Sequence, residues 1–163
     1  MILPDGLLRE YIGDGRLIVR PLGEQAIRPA SIDLRLGREL RIASYDGYRT
    51  HDLVDDGPFF LDRLAFVLAA TLEWIEIPDY LAGVLAGKST RARQGVVLEN
   101  AGYVDPGWRG ELTLELCNLA PRPVRLTHGM TIGQLRVEML LVACERPYGS
   151  DSTSHYQESR GPV

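Results

Sequence analysis

Residues 103–116 read YVDPGWRGELTLEL, a tight turn followed by a run in which apolar and polar residues alternate. The Asp-Pro-Gly triplet at positions 105–107 is a strong turn signal, because proline fixes φ and glycine accepts a positive φ. The run beyond it places two residue classes on opposite faces of a β-strand. One face carries Leu112, Leu114 and Leu116, and the other carries Glu111, Thr113 and Glu115. The stretch therefore predicts a strand with one core face and one polar face.

Similar strand-like runs recur along the chain at short intervals, separated by Gly, Pro and Asp. They are SIDLRL at 31–36, AFVLAATLEWIEI at 65–77, GVVLE at 95–99, PVRLT at 123–127 and TIGQLRVEMLLVA at 131–143. Residues 5–12 favour a short helix, with Asp5 as its N-cap, Leu8 and Tyr11 in an apolar stripe, and Gly13 at its end. The pattern predicts an all-β sandwich or barrel with one N-terminal helix.

The composition argues against several classes of function. The chain has 163 residues and a net charge of −4, whereas a duplex-binding surface usually needs a basic excess, so nucleic-acid polymers are disfavoured as partners. No apolar run approaches the roughly 18 residues of a membrane span. Residues 1–15 lack the basic-then-apolar order of a signal peptide. With Cys117 and Cys144 read as buried, unpaired thiols, we expect a reduced cytoplasmic protein without a membrane partner.

Zinc chemistry and serine-nucleophile chemistry find little support in the sequence. His51, His128 and His155 are far apart, and neither an H-x-E nor a C-x-x-C motif occurs. Zinc-dependent base deaminases hold their metal through such spacings. The G-x-S-x-G elbow of serine hydrolases is also missing. If the chain is an enzyme, we therefore expect it to work without zinc.

Residues 87–95, GKSTRARQG, form a glycine-flanked loop that is rich in cations and hydroxyls. Its side chains include Lys88, Ser89, Thr90, Arg91 and Arg93, although the Walker spacing is not met. A polyphosphate is well bound by charge-assisted hydrogen bonds from Lys and Arg together with short hydroxyl donors. The same composition also fits an ordinary solvated turn. The loop is therefore a candidate phosphate site, with a solvated turn as the alternative.

Two further features leave alternatives open. Glu115 stands on the polar face of its strand, although glutamate is depleted in strands, and it is either an ordinary solvated residue or a general base that lines a pocket. Residues 146–163, RPYGSDSTSHYQESRGPV, have the composition of a disordered tail. Tyr148 and Tyr156 within them favour a segment that docks instead.

Five segments, in the same order, resemble those of the dCTP deaminase family in the dUTPase-like superfamily. They are RPASIDLRLG at 28–37, the run at 66–95 that ends in GKSTRARQG, AGYVDPGWRGELTLEL at 101–116, GMTIGQL at 129–135 and PYGSDSTSHYQESRGP at 147–162. The resemblance implies a distorted β-barrel at residues 1–147, a C-terminal arm or lid at 148–163, and a homotrimer with active sites between subunits. It also implies deamination of dCTP to dUTP, with Mg2+ on the substrate triphosphate and no zinc.

The resemblance also implies roles for individual residues. Glu115 matches the catalytic glutamate that takes a proton from water, while Ser89 and Arg93 match residues that position the water, the base and the glutamate. Asp105 matches the carboxylate that holds the deoxyribose 3'-hydroxyl. The other implied substrate contacts are Lys88, Thr90, Arg91 and Ala92 in the loop, the backbone of Thr113 and Leu114 beside the base, and Gln134, Tyr148, His155 and Ser159.

Three departures from the family pattern bear on the activity. Residues 95–105 are one residue shorter than in typical members, so the water-holding backbone near Ala101 is expected to be placed differently. His155 and Ser159 stand where lysine and glutamine are usual, which predicts a lower or pH-dependent phosphate affinity. Ala101 and Gly102 resemble the Ala-Gly pair of dUMP-forming members and of true dUTPases.

Four hypotheses follow, led by a dCTP deaminase that releases dUTP. The alternative is a bifunctional enzyme that forms dUMP, pyrophosphate and ammonia, in which Asp105 also orients a water toward the α-phosphate. A pure dUTPase ranks third, because Glu115 would have no evident role in it. A non-catalytic, nucleotide-binding regulatory relative would have no need of Glu115 together with Ser89 and Arg93. The expected ligands are dCTP and dUTP, with dTTP as a candidate feedback inhibitor.

Overall fold

A computed structural model describes residues 1–98 and 102–163 and is built mainly of β-strands. Its helices are α1, Asp5–Gly13, and the single turn α2, Ser89–Ala92. Its strands are β1 Ile18–Arg20, β2 Ile27–Arg28, β3 Ser31–Ser44, β4 Gly47–Asp52, β5 Phe59–Leu61, β6 Phe66–Glu76, β7 Leu81–Gly87, β8 Val96–Leu98, β9 Tyr103–Val104, β10 Arg109–Asn118, β11 Val124–Leu126 and β12 Thr131–Met139. No helix in the described ranges has the length and apolar character needed to cross a bilayer.

Ten of the strands defined by residues 1–98 and 102–163 form one curled antiparallel sheet. Seven of them follow in the order β8-β10-β6-β3-β12-β7-β9, while β1 adds to β6, and β2 and β4 add to β3. The sheet curls so far that a Cβ placed on Gly87 of β7 would lie 3.5 Å from Leu98 Cβ of β8. A separate pair is made by β5 and β11. The mostly β fold with a short N-terminal helix is thus confirmed, whereas the homotrimer stays a prediction.

The core is filled by aliphatic side chains from β3, β6, β7, β10, β12 and α1. In β10 the three leucines are buried, and the polar residues between them are half-buried. The alternation predicted for residues 111–116 is therefore confirmed. The alternation determines which face of β10 packs against the core and which face is available to line a functional site.

The start of α1 differs from the sequence prediction. Pro4 is the N-cap residue, and it adopts an extended conformation. Asp5, the predicted N-cap, is instead the first helical residue and pairs with Arg9 at 2.8 Å. A first-turn carboxylate is favoured by the helix dipole and by a cation four residues later, and Arg9 accordingly lowers the pKa of Asp5. The predicted apolar stripe is confirmed, since Leu8 and Tyr11 are buried.

Strand β4 was not predicted from the sequence, because its residues lack the alternation of apolar and polar side chains that indicates a half-buried strand. It pairs with β3 in a hairpin that runs from Glu39 opposite Asp52 to Ser44 opposite Gly47, where the glycine has a φ of +126°. An Asp-Gly pair at 46–47 is a recognised hairpin signal. The side chains beyond it are polar and mostly exposed, so no hydrophobic alternation marks the strand.

Candidate active site

A cavity of about 410 Å3 opens beside the polar face of β10. Glu115 and Thr113 line it from β10, Asp105 lines it from the preceding turn, and Tyr148 lines it from the arm. The structure thus brings together four of the residues predicted for the site. Aromatic residues that the sequence analysis did not assign, including Tyr103 and Trp108, complete the wall. Their position on either side of the Asp-Pro-Gly turn was the signal that could have identified them.

The turn at 105–108 fixes the position of Asp105. Trp108 N donates to Asp105 O at 3.1 Å, and Gly107 has a φ of +88°, as a type II turn with proline at its second position requires. Gly107 N also donates to Ile77 O at 2.9 Å, which ties the turn to the segment after β6. A Cβ on Gly107 would lie 2.6 Å from Pro147 Cβ, so glycine is required by packing as well. Asp105 is therefore held, exposed, at the cavity wall.

The strand register shapes the wall around Glu115. In the pairing of β10 with β6, Thr113 lies opposite Ala70 and Glu115 lies opposite Leu68. Directly opposed residues share a face of the sheet, so the small Ala70 leaves room beside Thr113. Leu114 is fully buried on the other face and is not among the described residues of the cavity wall, so its backbone contact with the base stays a prediction.

Gly102 is explained by backbone packing. Leu85 N donates to Gly102 O at 2.6 Å, and a Cβ at position 102 would lie 2.4 Å from Leu85 O. Since no side chain fits at that distance, glycine is required here whatever the substrate, and Gly102 also borders the cavity. Ala101, the other member of the Ala-Gly pair, lies outside the described residues.

The arm, residues 148–163, docks on β10 and on the turn before it. The Glu111 carboxylate accepts a hydrogen bond from Gly161 N at 2.7 Å. Gln157 Nε2 donates to Gly107 O at 2.9 Å. Of the two alternatives for this segment, the structure therefore shows the docked one. Whether the arm also closes as a lid over a substrate stays a prediction.

The predicted residues of the arm take different positions. Tyr148 packs on Trp108, with ring centroids 5.5 Å apart, and lines the cavity. His155 is exposed. Ser159 is held through its backbone, since its carbonyl accepts a hydrogen bond from β10 at 2.9 Å, while its Oγ donates to Tyr156 O at 2.6 Å. Neither His155 nor Ser159 belongs to the wall formed by the described residues, so their predicted contact with a nucleotide would need movement of the arm or a second chain.

The predicted phosphate loop lies at the end of β7 and in α2. Its exposed residues are Ser89, Thr90, Ala92 and Arg93. Lys88 is the N-cap residue of α2, and its ammonium pairs with the buried Asp33 of β3. Gln134 of β12 lies opposite Asp33 in the sheet, so this predicted contact residue is close to the start of the loop.

The Arg91 side chain contacts both β12 and another residue of the loop. Its Nε donates to Thr131 O at 2.9 Å, and its guanidinium also donates to Gln94 Oε1 at 3.1 Å. With Arg122 and Arg125 it lines a different, open cleft of about 650 Å3. Arg91 is thus placed apart from the cavity that holds Glu115.

Opposite charges occupy separate parts of the site. Asp105 and Glu115 line the cavity, and none of its described lining residues is a lysine or an arginine. The cations predicted to bind phosphate are in the loop at 88–93, which contributes no residue to that wall within the described ranges. Within residues 1–98 and 102–163, the wall that contains the carboxylates and the loop that contains the cations are therefore separate.

Nowhere in residues 1–98 and 102–163 do three His, Cys, Asp or Glu side chains converge as a metal-binding group. The Mg2+ implied by the resemblance would arrive with the triphosphate, whose oxygens suit this ion. The hydroxyl oxygens of Ser89 and Thr90 and the carboxylate of Asp105 can accept hydrogen bonds from the water ligands that this ion keeps.

Comparison with known proteins identifies close relatives in sequence. The family model described as dCTP deaminase-like matches residues 2–140. A protein of Nocardia farcinica named "dCTP deaminase, dUMP-forming" is 44% identical over 178 aligned positions, which cover all of this chain and 89% of that protein. A protein of the same name from Streptomyces avermitilis is also 44% identical and is covered to 93%.

Solved structures are similar in fold. The 2'-deoxycytidine 5'-triphosphate deaminase of Agrobacterium tumefaciens superimposes with a TM-score of 0.71 at 21% identity, over 85% of this chain and 47% of that longer one. The EIAV dUTPase superimposes with a TM-score of 0.57 at 20% identity, over 83% of this chain and 98% of that one. At this level of identity the similarity concerns the fold alone.

Replacing Glu111 by alanine is expected to loosen the arm, because Gly161 N loses its acceptor. A net loss of about 1 kcal/mol would make the open arm roughly 5-fold more populated. Limited proteolysis with chymotrypsin at the exposed Tyr156 measures that population when the arm closes faster than it is cut. The matched control is Glu158→Ala, whose carboxylate reaches Arg109 only at 4.0 Å. Equal cleavage rates in the two variants would show that Glu111 does not hold the arm.

Proposed function

The chain belongs to the dCTP deaminase-like family, and from this premise we propose that it is a bifunctional hydrolase that converts dCTP to dUMP. One water replaces the 4-amino group of cytosine and releases ammonia. A second water cleaves the bond between the α- and β-phosphates and releases pyrophosphate. The observation that carries the proposal is the presence of two carboxylates, Glu115 and Asp105, in the wall of one cavity. Its volume of about 410 Å3 lies in the range of small-molecule sites.

The relatives favour formation of dUMP over release of dUTP, which the sequence analysis ranked first. Proteins that are 44% identical over the whole of this chain carry the name of dUMP-forming enzymes. Gly102 borders the same cavity as Asp105, but packing against the backbone of Leu85 requires a glycine there whatever the substrate, so this position does not distinguish the two hypotheses. The names of the relatives support the alternative hypothesis, and we therefore adopt it.

In the proposed deamination Glu115 is the general base. Its carboxylate shares a wall with Thr113, whose backbone is expected to lie beside the cytosine. Glu115 takes a proton from water as the water oxygen bonds to C4, and it passes that proton to the amino nitrogen as the C4–N bond breaks. A positioned general base of this kind contributes about 10²- to 10⁴-fold to the rate. Ser89 and Arg93 orient the water and the base in the complete site.

In the proposed hydrolysis Asp105 has two tasks. It accepts a hydrogen bond from the deoxyribose 3'-hydroxyl, and it orients the water that attacks the α-phosphate. The substrate is the Mg2+ complex of the triphosphate, in which the ion neutralises part of the phosphate charge. Because dTTP shares the deoxyribose and the triphosphate, we propose that it competes for this site as an inhibitor.

We further propose that the complete site forms between chains of a homotrimer. The described wall of the Glu115 cavity contains no lysine or arginine, and a triphosphate needs cationic partners. The loop that offers them is on the same chain but outside that wall, with Ser89, Thr90 and Arg93 exposed. Contact between the loop of one copy and the cavity of the next would supply both halves.

The product distribution tests the proposed function. Incubation with dCTP and Mg2+ is expected to yield dUMP, pyrophosphate and ammonia in equal amounts, with little free dUTP. Asp105→Asn should keep the shape of the side chain but weaken the orientation of the second water, so dUTP should accumulate in that variant. Chromatography of nucleotides with an assay for pyrophosphate measures both outcomes. If the unmodified protein forms one dUTP for each dCTP consumed and no pyrophosphate, it catalyses deamination only, and the proposed hydrolysis step is wrong.

Glu115→Gln is expected to lower kcat for deamination by roughly 10²-fold or more, because an amide cannot accept the proton from water. Binding of dCTP should stay close to normal, since the size of the side chain is preserved. Ammonia release and isothermal titration separate the two effects. Glu138→Gln is the matched control, because Glu138 pairs with Arg136 on β12 and lies outside the described cavity wall. Near-normal turnover by the Glu115 variant would remove it from the catalytic role.

Shared sites are expected to restore activity when two inactive variants assemble together. Coexpression of Glu115→Gln with Arg93→Ala should yield mixed trimers in which about a quarter of the sites combine an intact loop with an intact glutamate. Each variant expressed alone should remain inactive, which provides the control. If mixed trimers form but regain no turnover, the site does not combine Arg93 of one copy with Glu115 of another.

A further inference from the structure

Asp33 of β3 is nearly buried, with 6% of its surface exposed, and two cations converge on its carboxylate. Arg28 Nε of β2 donates to Oδ2 at 2.7 Å. The Lys88 ammonium, which comes from the start of the phosphate loop, donates to Oδ1. One carboxylate thus links the sheet to the loop through two separate oxygens.

Both the side chain and the backbone of Lys88 are held in place. Its ammonium is bound to Asp33, its side chain is only 19% exposed, and its backbone N donates to Ile132 O at 3.1 Å. Removing one member of a buried ion pair leaves the other charge without compensation, so the arrangement persists unless something replaces it. The position of the loop's first cation is therefore set by Asp33.

The register of three strands brings Asp33 close to the loop. In the sheet, Asp33 lies opposite Gln134 of β12, and Gln134 lies opposite Ala86 of β7. Opposed residues share a face, so Asp33 and Gln134 lie on one face, on strands next to the end of β7 from which the loop emerges. A carboxylate at this place can orient a loop cation without entering the phosphate site itself.

We propose that Asp33 is a positioning residue that aims Lys88 at the substrate triphosphate, an inference that rests on the proposed function. An ammonium has three N–H donors, so Lys88 can keep one hydrogen bond to Asp33 and direct the others to phosphate oxygens. Arg28 stays on the second carboxylate oxygen and helps to neutralise it. Two cations against one carboxylate leave a net positive charge at the loop, which suits an incoming polyanion.

A second buried carboxylate of the same sheet serves as the structural comparison. Glu73 is fully buried, and it accepts hydrogen bonds from Arg35 Nε at 2.7 Å and from Arg35 N at 2.9 Å. Arg35 in turn donates to Pro21 O at 2.7 Å. None of these three residues belongs to the loop. The Arg35–Glu73 pair therefore resembles the Asp33 pairing in having a buried carboxylate bound to a cation, but it involves no residue of the loop.

The test is a double-mutant cycle on binding, made in the Glu115→Gln background so that dCTP is not consumed. Asp33→Asn and Lys88→Met are each expected to weaken Mg-dCTP binding about 10-fold by isothermal titration. If Asp33 acts through Lys88, the double variant should be no weaker than the single ones. Inorganic tripolyphosphate, used as a competitor, should lose affinity in parallel, because the effect acts on the phosphate end. Glu73→Gln is expected to lower stability to urea while dCTP affinity stays within about 2-fold.

Each alternative outcome is distinguishable. Multiplicative losses in the double variant, or an unchanged affinity in Asp33→Asn, would overturn the role of Asp33 and leave the proposed function intact. Failure of the unmodified protein to bind dCTP would overturn both. If Asp33→Asn does not fold, Asp33→Glu keeps the charge but displaces it. A folded Asp33→Glu protein with weakened triphosphate binding supports positioning, and one with unchanged binding contradicts it.

Discussion

The two faces of β10 are the constraint on which the rest of the structure depends. Its leucines are buried in the core, and the polar residues between them are half-buried on the opposite face. A slip of the register by one residue would exchange the faces, burying Glu115 and exposing the leucines. Burying a carboxylate without a compensating partner raises the free energy of the folded state by several kcal/mol. Core packing therefore enforces the register that presents Thr113 and Glu115 to the cavity. The chemistry of the site therefore depends on the hydrophobic side of the same strand.

The arm depends on β10 as well, but through weaker contacts. It joins the strand by a parallel bridge between Gly110 and Ser159 and by polar contacts to Glu111 and to the turn at 105–108. A few partly buried hydrogen bonds hold a segment less firmly than a buried apolar core does, so the arm is expected to be less stable than the leucine core. Opening of the arm would therefore leave the core packing of β10 intact. Closure of the arm over a substrate stays a prediction, and such closure would exclude water from the cavity.

Electrostatics explains how an acidic protein can serve a polyanionic substrate. The net charge is −4, yet cations are concentrated in the loop at 88–93, and the carboxylates of the cavity lie on a different wall. Within the described residues, the loop contributes no cation to the wall that contains Asp105 and Glu115. Lys88, the first cation of the loop, is paired with a different carboxylate, that of Asp33, which is buried in the sheet.

The sequence alone determined the features that arise between near neighbours in the chain. The strand at 111–116, the Asp-Pro-Gly turn and the stripe of α1 follow from local periodicity and turn chemistry, and the family resemblance pointed to Glu115 and Asp105. Only the tertiary structure decided that the arm docks, that the loop lies outside the cavity wall, and that Lys88 pairs with Asp33, which is 55 positions away. These outcomes depend on which distant strands pair and in which register. Local periodicity assigns each residue of a strand to a face, but it does not say which strands become partners, because the partners are selected by the packing of the whole core.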